Sequence, residues 1–331
     1  MDEQTYDLKP ARKAFSRIGL AFSAILVVAT VCQLLWIFIP ELIWGEENWT
    51  NSTSWGMWIG TFAPLYAIAI PIGLLIMRKL PAQRPEENKL TVGKFLLWLP
   101  ICFCLMYAGN LIGNFLSMLF SWGRAENSLN DYAMDNNPLK IVVMVILAPL
   151  LEEFICRKQI IDRTRQYGEK TAILLSALVF GLLHQNLFQF FYAFALGLVF
   201  AYIYTRTGRL RYPVLLHSIV NFMGAVVAPA ILSLLDMEAL ANINPAATDA
   251  QILAMYKDIL PGLLLLMLYS TFLMAISIAG LVLLILKIRK LEWKEAATPL
   301  PKGTAAKTVY RNAGMILYIV LCVISIILAL L

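Results

Sequence analysis

Residues 139–160 read LKIVVMVILAPLLEEFICRKQI. As a helix rising 1.5 Å per residue this run covers about 33 Å, enough to cross the roughly 30 Å hydrocarbon core of a bilayer. It also holds two adjacent glutamates, Glu152 and Glu153, with Arg157 one turn beyond. The remainder of the chain decides between a soluble core helix and a membrane span. Of 331 residues, 60% are apolar and only 15% charged, and the mean hydropathy is +0.72. A soluble domain carries about 25% charged residues, so the solvent of this chain is lipid and the glutamates lie inside it. The formal charge of +6 does not point to nucleic acid, because the basic residues are not gathered on a soluble module.

Working outward, nine apolar runs approach or reach the length of a span: 18–39, 57–77, 95–121, 139–160, 171–186, 188–205, 212–235, 261–286 and 313–331. The expected fold is an all-α, polytopic membrane bundle of about nine helices, or eight, since only helices or closed barrels satisfy their backbone in lipid. With the N-terminus in the cytoplasm, 24 of the 27 Lys and Arg fall on the inner side, leaving Arg124, Lys140 and Lys257 outside, as the positive-inside rule requires. The first run is too long for a signal-peptide core and lacks a small-residue cleavage site, so it is read as a retained anchor. Segments 78–94 (inner) and 236–258 (outer) are expected to be loops. The chain divides into helices 1–3 over residues 1–138, a four-helix core over 139–235, and helices 8–9 over 236–331. Cys32, Cys102, Cys104, Cys156 and Cys322 lie in or beside apolar runs, without the spacing of a disulfide framework, and are read as buried filler.

Few ionisable residues lie inside the runs: Glu152, Glu153 and Arg157 in the fourth, His184 in the fifth and His217 in the seventh. An ionisable group at the bilayer centre costs about 2.5–3.5 kcal/mol on insertion scales, so such groups face the bundle interior and find partners. The i,i+4 spacing pairs Glu153 with Arg157. Glu152, about 100° around the helix, is left facing elsewhere without a cation, a setting suited to a group that takes and returns a proton. His217 and Asn221 share one helical face and can donate hydrogen bonds to one point, as an oxyanion requires. Phe180, four residues before His184, is expected to pack on its imidazole. Asn110 and Asn114, interleaved with Gly109 and Gly113 on the third run, are read as close helix packing with polar glue.

The ordered set Glu152-Glu153-x-x-x-Arg157, Phe180-x-x-x-His184 and His217-x-x-x-Asn221, with the stretch Phe194-Ala195-Leu196-Gly197-Leu198-Val199-Phe200 and the turn Thr207-Gly208 between, resembles the CPBP family. These are the type II CAAX prenyl protease and bacteriocin-processing (Abi) membrane peptidases. The similarity covers residues 139–225. It implies an intramembrane endopeptidase in which Glu152 activates water with help from His184, His217 and Asn221 stabilise the oxyanion, and Glu153, Arg157 and Phe180 support the site. The implied substrate is a membrane-associated peptide or protein, lipidated in the CAAX case, and the implied roles are peptide maturation or bacteriocin self-immunity. A bacterial plasma membrane fits better than a eukaryotic endomembrane. The sequence carries no signal for oligomeric state.

Motifs of other intramembrane proteases are missing: there is no Gly-x-Ser-Gly, Gly-x-Gly-Asp or His-Glu-x-x-His. Zinc on Glu152, His184 and His217 is the alternative chemistry, two histidines and a carboxylate being a familiar catalytic set. A cofactor-free reading is preferred because Asn221 is a poor zinc ligand and Arg157 claims Glu153, the one carboxylate that could brace a zinc-bound histidine. The rival classes are a proton-coupled transporter, for which no inverted repeat is visible, and a non-catalytic peptide-binding or immunity protein. Counting residues from the helix ends places Glu152, His217 and Asn221 in the inner half of the membrane. His184 joins them if the fifth helix begins near Glu169, in a water-filled cavity open to the cytoplasm.

Overall fold

A computed structural model describes residues 7–235 and 248–331. The chain is a polytopic helical membrane protein. Its principal helices, among the described residues, are α1 (Lys9–Trp44), α2 (Ser54–Met77), α3 (Val92–Ser121), α4 (141–164), α5 (Glu169–Leu183), α6 (Leu187–Thr207), α7 (Arg211–Leu232), α8 (Asp249–Ile288) and α9 (Ala313–Leu328). Six of these, α1, α2, α3, α6, α7 and the Ile259–Ile288 part of α8, are long and apolar enough to cross a membrane. α9 is apolar but has 16 residues. α4 carries its charges inside, and α5 has 15 residues, so the two helices with the first two motifs are the least like free-standing spans. The outer segment is shorter than expected: residues 249–258 continue α8 as helix, and 236–247 lie outside the described residues.

α5 begins at Glu169, the earlier start that brings His184 toward Glu152 in the sequence reading. Half of the most apolar stretch of α6 is buried inside the protein, against 11% for α8. α6 is therefore the central post, packed between α3 and α5, and α8 is peripheral, on α3. Glycines set the close approaches. A Cβ on Gly109 or Gly113 would strike the backbone of Tyr192 or Leu187 on α6, so the third-run glycines pack as expected. Asn114 spends its amide on Asn110 of its own helix. On the far side Gly19 of α1 and Gly314 of α9 meet backbone to backbone, and the Gly314 N–H donates to Ser16 Oγ at 3.1 Å. Gly314→Leu should force these helices apart at a cost of about 1–3 kcal/mol, read as a lower unfolding temperature in detergent.

Two extended segments strap the end of the core that the charge count predicts to be inner. In 78–91, Gln83 N–H donates to Asp162 O (2.6 Å) and Asn88 N–H to Thr207 O (2.9 Å). Gly208 turns at φ 60° with the Pro85 carbonyl against its Cα, a place where glycine is required. In 289–304, Thr298 N–H and Leu300 N–H donate to Gln166 O and Tyr167 O, and Lys294 N–H donates to Glu169 at 2.8 Å. The Lys294 ammonium, bonded to Glu86, holds that carboxyl below its ordinary range.

At the opposite end Asp135 accepts from the Ser54 hydroxyl and, at 2.7 Å, from the Trp58 indole. Burial pushes its carboxyl up, but these bonds and the Asn137 N–H outweigh that and hold it low.

Candidate active site

Local backbone geometry places the motif residues. α4 is not a uniform α-helix: Ile141–Leu147 and Phe154–Gln159 are π-helical, on either side of Glu152 and Glu153. Such i→i+5 turns add a residue and swing the following side chains around the axis. Pro149 explains one consequence. Ala148 N–H donates to Val143 O, five residues back. In that register the Met144 carbonyl would next be served by residue 149, a proline without an N–H. Asn221 of α7 fills the gap, its Nδ2 donating to Met144 O at 2.8 Å. A side chain from a neighbouring helix thus repairs the break that proline makes. The expectation that Asn221 projects free beside His217 is refined accordingly: one of its two amide hydrogens is spent on α4. α7 itself turns π-helical just after, over Met223–Val227.

The expected Glu153–Arg157 pair forms within α4. Arg157 Nε lies 2.8 Å from Glu153 Oε2, and Nη2 lies 3.1 Å from Oε1, with both side chains wholly buried. This two-point geometry is the strong form of a charged pair. Nη1 donates to Ser176 Oγ (3.1 Å) and O (3.3 Å), and Ser176 Oγ donates to Cys156 O (2.6 Å). The guanidinium also lies 4.3 Å from the Phe180 ring and 5.7 Å from Phe200, a cation–π cage.

Glu153 does more than hold Arg157: its Oε1 lies 3.0 Å from His217 Nδ1. The sequence argument that Arg157 claims this carboxylate alone is therefore corrected, because α4 and α7 meet on it. With Nδ1 fixed on Glu153, His217 presents Nε2 toward Glu152, whose Oε2 is 3.9 Å away. That is too long for a hydrogen bond and a separation that a bridging water spans. Glu152 has no Lys or Arg partner among the described residues and keeps 18% of its side chain accessible, against none for Glu153. The two neighbouring glutamates are thus divided between a partly accessible group and a buried anchor.

His184 caps the C-terminal end of α5. Its Nδ1 is 2.9 Å from the Phe180 carbonyl, which can only accept, so Nδ1 carries the hydrogen and Nε2 presents a lone pair. Gln185 follows at φ 57°, and Asn186 caps α6 by accepting from Gln189 N–H at 2.8 Å. This tight turn locks the imidazole between two helix ends. Phe180 meets His184 edge-on at 5.1 Å, as expected, and also His217 at 5.6 Å. Phe200 stacks on His217 at 5.5 Å and 25°. Motif residues from α4, α5 and α7 therefore gather around one aromatic pair. Phe200, Ser176 and Pro149 belong to the cluster and were not singled out as site residues from the sequence. Phe200 stood within the quoted sixth-run pattern, and Pro149 within the quoted stretch 139–160.

Among the described residues no three His, Cys, Asp or Glu side chains gather closely enough to hold a metal ion. Two apolar clefts, of about 570 and 950 Å³, lie away from Glu152, one between α3, α7 and α8 and the other between α1, α2 and the connection that holds Glu47–Thr50.

Comparison with known proteins bears on residues 135–223, which match the family described as Type II CAAX prenyl endopeptidase Rce1-like. A Bacillus subtilis (strain 168) protein named "Putative membrane peptidase YdiL" is 29% identical over 47% of this chain and 66% of its own length. A Staphylococcus aureus (strain USA300) protein named "Membrane-embedded CAAX protease MroQ" is 37% identical over 33% of this chain and 45% of its own. The chain thus spans less than two thirds of either relative. No solved structure matches it.

Proposed function

We propose, from an Rce1-like endopeptidase domain at residues 135–223 set in a bundle of membrane helices, that this chain is an intramembrane endopeptidase acting on a membrane-associated peptide or protein in a bacterial plasma membrane. The observation that carries the reading is the division of labour in Glu152-Glu153. Glu153, fixed by Arg157, orients His217, while Glu152 stays partly accessible beside His217 Nε2, with no Lys or Arg partner among the described residues.

In this reading a water bound between Glu152 and His184 Nε2 gives its proton to Glu152 as its oxygen attacks the scissile carbonyl carbon. The carbonyl π pair moves onto oxygen, and the oxyanion accepts hydrogen bonds from His217 Nε2–H, in the doubly protonated ring, and from the second amide hydrogen of Asn221. Glu152 then returns the proton to the amide nitrogen. The oxyanion pair re-forms the C=O bond as the C–N bond breaks, leaving an amine and a carboxylic acid that loses its proton to water. Holding both catalytic partners on rigid helices supplies orientation, and fixed donors at the developing charge supply the largest share of rate. The site opens toward the cytoplasm, so bonds near the inner leaflet are cut.

The metal-free form is proposed over zinc on Glu152, His184 and His217. His184 holds its Nδ1 on the Phe180 carbonyl and His217 holds its own on Glu153, so both turn Nε2 to the site, and metal content decides between the two forms. Purified enzyme is expected to keep its activity in chelator and to contain well under one zinc per chain by mass-spectrometric metal analysis. Stoichiometric zinc lost and restored together with activity would overturn the metal-free form. A farnesylated peptide ending in Cys-aliphatic-aliphatic-X, beside its unfarnesylated twin, tests the substrate class suggested by the family description. The wild type should release the terminal tripeptide and His184→Ala should not; cleavage by both equally contradicts the site.

A further inference from the structure

α2 packs on α4 where Ile70–Met77 meets Phe154–Gln159, and it is tied also to the segment that leads into α4. There Ser54 and Trp58 bond Asp135. At the opposite end Arg163 Nε donates to Met77 O at 3.2 Å. Tyr66 lies one helical turn before the Ile70–Met77 stretch of α2 that packs on Phe154–Gln159, and Glu152 lies two residues before that partner stretch. An aromatic ladder at i,i+4 spacing, Trp58, Phe62 and Tyr66, with centroids 5.3 and 5.9 Å apart, leads from Asp135 down to that level. Tyr66 packs against the same core as Leu151 and Phe180, and Glu152 lies within electrostatic reach of its hydroxyl. It sits in the π-helical turn Pro64–Ala69, the same backbone device that flanks the motif residues of α4 and α7.

The Tyr66 hydroxyl is buried and has no hydrogen-bond partner among the described residues. A buried hydroxyl left unmade is uncommon and calls for an explanation. Tyr192 also lies near Glu152, but its hydroxyl is bonded to Gln189. Asn221, for its part, has one amide hydrogen committed to Met144, which leaves the proposed oxyanion short of donors.

We propose that Tyr66, from outside the 135–223 domain, is a catalytic residue whose hydroxyl donates a hydrogen bond to the oxyanion formed at the scissile carbonyl. The inference rests on the peptidase reading above. Its test is Tyr66→Phe, which keeps the ring on Phe62 and removes only the unpartnered oxygen. The probe is a synthetic peptide spanning a bond that wild type cuts in host membranes and Glu152→Gln leaves intact. The variant should melt at the wild-type temperature, with kcat lower by about 10²-fold, KM unchanged and the pH profile unshifted. Wild-type kcat, a rise in KM alone, a shifted pH profile or a lower melting temperature each overturns the proposal while leaving the peptidase reading in place. If no bond is cut in a Glu152-dependent way, the peptidase reading fails first and this inference with it.

Discussion

Glu152→Gln is expected to lower peptide hydrolysis by about 10³-fold or more, with the protein inserted, folded and as heat-resistant as wild type. The amide keeps the shape and one acceptor of the carboxylate but cannot take a proton from water, and general-base catalysis is worth about 10²–10⁴. Stability should not suffer, because Glu152 is too far from His217, at 3.9 Å, for a hydrogen bond and pairs with no Lys or Arg among the described residues. Turnover of the same peptide by both proteins at equal rates would remove Glu152 from the chemistry. Equal losses of activity and of melting temperature would make it a packing residue instead.

Glu153→Gln, one residue away, is expected to behave differently and to cost stability as well as activity. The change leaves the buried Arg157 guanidinium without its counter-charge inside a cage of Phe180, Phe200 and Ser176. Breaking a buried pair by removing one partner costs about 3–5 kcal/mol. Glu153→Gln combined with Arg157→Met removes both charges and should recover much of the melting temperature, since buried ion pairs are replaceable by apolar groups of similar size. Activity should stay low in the double variant, because His217 Nδ1 has lost its anionic anchor. Thermal unfolding in detergent separates the two effects. Full activity in the double variant would show that Glu153 serves only Arg157.

The contrast between two adjacent glutamates was legible in the sequence to the extent that helical spacing decides it. Glu153 and Arg157 are one turn apart on the same helix, and so are Phe180 and His184; both contacts form as the spacing predicts. The membrane character of the bundle was legible from composition for the same reason, since each span must satisfy itself. Contacts between helices were not. Nothing in the spacing of α4 shows that Glu153 reaches His217, 64 residues on, or that Asn221 bonds Met144, 77 residues back. Each depends on how far a π-turn rotates the chain, and a one-residue widening is invisible in a hydrophobic pattern. Pro149 was the available signal, since a proline in a membrane helix frees a carbonyl that a neighbour must serve. Phe200 had no signal beyond its apolarity, because a ring that stacks on an imidazole and one that fills a core look alike in sequence. The early part of α8 was misplaced for a different reason: Asp249, Lys257 and Asp258 gave residues 249–258 the composition of a loop, while the structure continues the helix through them.

The most direct measurement compares membranes from cells making wild type with membranes from cells making Glu152→Gln, incubated in water enriched in oxygen-18 and analysed for peptides by mass spectrometry. Water attack assisted by Glu152 predicts a set of fragments found only with wild type, each carrying one oxygen-18 in its new C-terminal carboxylate. The same peptide complement in both membranes, with no wild-type-specific label, would contradict it.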